Sequence, residues 1–114
     1  MTAFRFLLVV IFLAISGYTI VVVGDHGMGL LAVFFDDMAK LGWPGQFNLD
    51  FMCMLALSAL WVGWRHQFSA AGLALATLAF FGGALFLSVY LFVESVRVGG
   101  DTRALLLGRE RSAA

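Results

Sequence analysis

One cysteine, two histidines, seven basic and seven acidic residues in 114 leave this sequence short of the groups that most protein chemistry needs. The lone Cys53 excludes an internal disulfide and any multi-cysteine metal site, and in its apolar stretch it reads as a small hydrophobe. Charged residues make up 12% of the chain and cancel to zero formal charge, so there is no broad basic surface for nucleic acid. No phosphate loop, nucleophile elbow, zinc-helix motif or dinucleotide fingerprint occurs. Neither enzymatic activity nor a cofactor or metal is expected. His26 and His66 follow different apolar runs and are expected on opposite membrane faces, about 30 Å apart, too far to clamp one haem.

What the chain does have is apolar length. Hydrophobic residues are 62% of it, and every Lys, Arg, Asp and Glu falls outside three runs, 6–23, 51–64 and 70–93. Mean hydropathy is +0.99, far above that of soluble domains. The first and third runs are long enough to cross a hydrocarbon core about 30 Å thick. The middle run, between Asp50 and Arg65, gives only about 21 Å of helix. Either a flanking charge dips into the membrane or the bilayer thins there. The expected fold is an all-α membrane protein, one domain over 1–114. Transmembrane helices are expected at about 6–23, 47–64 and 70–93, a short interfacial amphipathic helix at 29–41, and a polar tail at 94–114. Arg5 and the small-residue stretch Ala14-Ile15-Ser16 resemble parts of a signal peptide, but the run continues to Val23, beyond a signal core, so a retained span is expected.

In the connection between the first two spans, Leu30, Leu31, Phe34, Met38 and Leu41 recur at helical spacing, with Asp36, Asp37 and Lys40 opposite. An acidic polar face favours packing on the bundle over lying on lipid. Gly42 is expected to cap this helix and Pro44-Gly45 to form a turn. Trp43, Trp61 and Trp64 suit the membrane interface, with Arg65 snorkelling beyond them. The tight link 65–69 makes the second and third spans antiparallel neighbours. Gly72, Ala76, Ala79 and Gly83 form a small-residue stripe that permits close helix packing. Ser16, Tyr18 and Thr19 put hydroxyls into span one for helix–helix hydrogen bonds.

Threading three straight spans places Arg5 and Arg65 on one face and Lys40, Arg97, Arg103, Arg109 and Arg111 on the other. That bias predicts an external amino terminus and a cytoplasmic tail. It also gathers Gln46, Asn48, Asp50, Tyr90, Glu94 and Arg97 into a candidate pocket for a polar ligand or a proton. Asp50 has two readings. As an intramembrane carboxylate it marks a proton or cation site; as a first-turn acid beside Asn48 it caps the helix.

Trp43-Pro44-Gly45-Gln46-Phe47-Asn48-Leu49-Asp50-Phe51, Trp64-Arg65-His66 and the glycine-containing third span resemble small three-span bacterial inner-membrane proteins grouped as families of unknown function. The resemblance covers most of the chain and implies no activity. Three-span half-transporters of the sugar-export type are similar in size, but their proline-glutamine motif lies within a span, whereas Pro44 and Gln46 are separated and read as a turn. The expectation is a non-enzymatic membrane subunit or binding module in a bacterial-type inner membrane, forming homo-oligomers or a larger complex within the lipid bilayer. The alternative is a small homo-oligomeric transporter or proton-coupled carrier using Asp50 and Glu94.

Overall fold

The computed structural model describes residues 1–113. The chain forms α1 (Thr2–His26), α2 (Leu30–Ala39), α3 (Trp43–Arg65), α4 (Ala70–Arg97), α5 (Thr102–Leu107) and α6 (Arg109–Ala113), with no strand among the described residues. Three of these helices, α1, α3 and α4, are long and apolar enough to cross a membrane.

The α2–α3 junction departs from the sequence expectation. Leu41, not Gly42, takes the left-handed conformation after α2 (φ 56°). Gly42 is instead the extended N-cap of α3, and Pro44 sits in that helix's first turn, where its missing N–H is no loss because no intrahelical partner exists there. α3 therefore starts at Trp43 and runs 23 residues, about 35 Å. This length offsets the short middle run. The cost is that Asp50 is carried about two turns inside the helix, exposed on its surface. α2 packs on this first part of α3: a Cβ on Gly45 would collide with the carbonyl of Asp37, and Asn48 Nδ2 donates to the carbonyl of Phe34 at 3.1 Å. Only Phe34, Asp37 and Met38 of α2 are partly covered, while Leu30, Leu31 and Leu41 stay exposed.

The 28-residue α4 is broken at Gly83 (φ 56°, ψ −141°), a backbone region open essentially to glycine alone. His66 decides the shape. Its Nε2 lies 2.6 Å from the Tyr90 hydroxyl, and its Cβ lies against Gly72. In a straight helix those two residues would stand about 27 Å apart. α4 is therefore a hairpin of two half-helices, 70–82 and 84–97, with its tip at Gly83 against Phe51 and Leu55 of α3. The outgoing half packs antiparallel to α3 through its small residues. Ala76 meets Gly63, and the fully buried Ala79 joins the core of Val62 and Tyr90. Gly72 and Gly83 face the same helix or its final turn. The returning half packs against α1, and Leu8, Val9 and Phe12 line an apolar recess with Ser88, Val89, Phe92 and Val93.

The consequence is a correction of topology. Arg5 Nε and Nη2 donate to Ser95 Oγ and carbonyl, each at 3.0 Å, so both chain termini lie at the same end of the molecule. Amino and carboxyl termini cannot then sit on opposite faces of a membrane that α1 crosses.

Replacing Gly83 by Ala forces an L-residue into this conformation and puts its Cβ 3.0 Å from the Phe51 ring. Backbone strain alone is about 1–3 kcal/mol, so G83A should lower the unfolding midpoint in detergent clearly. Gly17→Ala, with nothing within 4 Å of its added Cβ, should leave the midpoint unchanged or higher. Equal behaviour of the two variants would speak against the hairpin.

Candidate functional site

Folding α4 back brings together groups that a straight span would hold a membrane's thickness apart. Arg65 leaves the last turn of α3 and is 5% exposed. Its Nη2 lies 3.2 Å from Glu94 Oε2, and its Nη1 donates to the Tyr90 hydroxyl at 3.1 Å. Nε and Nη2 donate to the carbonyls of Leu105 and Ala104 at 2.6 and 3.3 Å. Trp61 Nε1 takes the Leu106 carbonyl at 3.0 Å. These carbonyls end α5 and lack helical partners of their own beyond the Gly108 cap on Ala104. Asp101 starts the same helix, its side chain accepting from the N–H of Arg103 and Ala104. Thus α5 is tied to the end of α3 at the terminus where its carbonyls would otherwise be orphaned.

Glu94 is held from both sides, by Arg65 and by Arg97, whose Nη1 lies 3.2 Å from Oε1. Tyr90 accepts from Arg65, and its hydroxyl shares a second hydrogen bond with His66 Nε2. Burial and, next, the Arg65 charge hold the His66 pKa below 6.5, against a smaller opposing pull from Glu94. Further out, Arg111 stacks on Trp64 with its guanidinium carbon 3.9 Å from the ring centroid and donates to the Trp64 carbonyl. Trp61 and Trp64 therefore serve as partners in this corner as well as flanking the apolar span.

The pocket drawn from the sequence is divided between the two ends of the molecule. Tyr90, Glu94 and Arg97 belong to the Arg65 cluster, while Gln46, Asn48 and Asp50 lie near the start of α3, about 22 to 29 Å away along that helix. Asp50 and Glu94 do not form one site. Asp50 does not cap the helix either, because Gly42 holds the N-cap position, and Asn48 is engaged with α2. Trp43 is exposed beside Phe47. Two members of this cluster lie outside the sequence-derived pocket: Arg65, expected to snorkel beyond the tryptophans, and His66, expected on the face opposite His26. The available signal was the Gly82-Gly83 pair at the midpoint of an over-long apolar run.

No protein family, curated protein or solved structure matches this chain.

What the arrangement can do chemically is limited. A carboxylate clasped by two arginines is not free to act as a base, and the tyrosine and histidine are spent on each other. The cluster is a clamp, beside which a polar cavity of about 280 Å³ opens. Breaking the clamp from one side, by Glu94→Gln or Arg65→Met, should destabilise by about 3–5 kcal/mol, because an uncompensated buried charge remains. The double variant should lose less than the sum of the singles, read from detergent unfolding midpoints; strict additivity would mean that the pair is not coupled.

His66 adds a pH dependence. Its folded pKa is below 6.5, so on acidification the unfolded chain takes up a proton first. Its contribution to stability is complete above about pH 6.5 and falls as pH drops towards the folded value. Unfolding midpoints measured from pH 7.5 to 5 should decline for the parent and decline less for His66→Gln.

Proposed function

We propose that this chain is a non-enzymatic subunit of a membrane assembly, seated in a bacterial-type inner membrane with both termini in the cytoplasm. The orientation is supported by how bases distribute once the hairpin is taken into account. Arg5, Arg65, Arg97, Arg103, Arg109 and Arg111 lie at the hairpin-base end, and Lys40 alone lies at the other, beside Asp25, Asp36, Asp37 and Asp50. Bases next to spans favour the cytoplasmic face.

The assembly reading rests on one observation: α4 turns back at Gly83, part-way along α3, so the acidic half of the molecule lacks a third long helix. The outer part of α1 is correspondingly bare, with Tyr18 73% and Ile20 72% exposed. No more than 17% of any span's apolar window is buried within the chain. Lipid can cover such surfaces, but a phenol at this depth gains from a hydrogen-bonding neighbour that lipid tails do not offer. Copies of this chain or another membrane protein would supply it.

Two measurements test the reading. Native mass spectrometry of the mildly extracted protein should show a multimer or a second polypeptide; a bare monomer across several mild detergents would sink the assembly claim. Membrane-impermeant thiol labelling of cysteines added at each terminus, in a Cys53→Ala background, should reach neither from outside intact cells. Labelling of the amino terminus alone would contradict the orientation.

A further inference from the structure

The arginine-rich cavity lies between the base of the hairpin and the C-terminal helices. Its floor is the Arg65–Glu94 pair, His66 edges it, and Arg97, Arg109 and Glu110 stand at its rim. Three arginines thus face two glutamates, and their commitments differ. Glu94 has both oxygens engaged, so it cannot neutralise anything further. Arg97, with 59% of its side chain exposed, spends only Nη1 on that carboxylate. Arg109 spends Nη2 on the backbone carbonyl of Arg97, so both side chains line the same cavity. Among the described residues Glu110 forms no ion pair with either. The cavity is left with two arginines that each keep unspent N–H donors, and with a positive excess.

We infer that this cavity binds a phosphate group. A guanidinium fork matches tetrahedral phosphate oxygens and gives bidentate, charge-assisted bonds. The volume of about 280 Å³ takes a phosphate with its ester arm and a few waters. Two sources have this chemistry, a phospholipid headgroup and a free phosphate. Depth points to the headgroup: Trp61 and Trp64 mark the interfacial turn of α3, and the cavity opens one turn beyond them, at the level of lipid phosphates. This depth argument rests on the insertion proposed above, whereas the binding test does not, because it is made in detergent.

Full-length protein in a neutral detergent is titrated with phosphatidylglycerol and, separately, with inorganic phosphate, and binding is followed by native mass spectrometry. Phosphatidylglycerol should bind one molecule tightly, and Arg97→Gln with Arg109→Gln should weaken it at least tenfold. Arg103→Gln, on α5 outside the cavity, should change it less than twofold. Should Arg97→Gln disturb folding, the single Arg109→Gln variant, on the exposed C-terminal helix, carries the test with a loss of at least threefold. Binding of the lipid alone assigns the headgroup; equal binding of inorganic phosphate, abolished by the same variants, assigns the free anion. Absence of binding by both probes, or equal loss from Arg103→Gln, overturns the site.

Discussion

Arg65 reaches from the last turn of α3 to Glu94 and Tyr90 on the returning half of α4 and to the two carbonyls that close α5. Each of these partners is a group that burial would penalise if left alone: a carboxylate, a phenol and orphan helix-end carbonyls. A guanidinium has five donors in a fixed plane, which is why arginine can serve all of them at once and lysine could not. The hairpin base, the C-terminal helices and the end of α3 therefore depend on one side chain. The Gly108 backbone (φ 83°) lies so close to the Arg65 carbonyl that a Cβ there would collide with it, so the chain after α5 is fitted to the same residue.

The clamp also explains why a broken helix is acceptable in lipid. Interrupting α4 at Gly83 frees backbone groups that hydrocarbon cannot satisfy. Offsetting this requires close packing of the two halves and strong bonds where they end. Small residues supply the first, with Ala79 fully buried against Val62 and the Gly82 backbone pressed onto Phe86. Arg65 and Arg5 supply the second, gripping Glu94 and Ser95, neighbours in sequence, from α3 and α1 respectively. The returning half is thereby held between α3 and α1. Buried ion pairs are weak sources of net stability but good at selecting one arrangement over others, and here the selected arrangement is the reversal itself.

Much of the fold was legible because hydrophobic runs between charges report membrane helices directly. The helical class, three long apolar helices and a short one between the first two are all visible that way. The reversal was not, since length and hydropathy are the same for one long span and for two half-spans joined at a glycine. A glycine on a small-residue stripe, as Gly83 is, has an ordinary packing explanation that hides its backbone role. The site suffered accordingly. Tyr90, Glu94 and Arg97 do cluster, but around Arg65, which a straight span places on the far face. Asp50 and Asn48 were assigned to a first turn that Pro44 actually begins, a shift of one turn at a helix start and a common failing of boundary reading. The charge bias follows the same rule in either threading, but the hairpin moves Arg5 and Arg65 to the end that holds the other arginines.

The hairpin is the claim from which topology, site and orientation all follow, and one distance reports it. Spin labels at Gln67 and Val96, in a Cys53→Ala background, measure the separation of the two ends of α4 by pulsed electron resonance. The account predicts a distance of about 20 Å or less, since His66 and Tyr90 are hydrogen-bonded at 2.6 Å. A separation of about 40 Å or more, the span of a continuous helix over that interval, would contradict it.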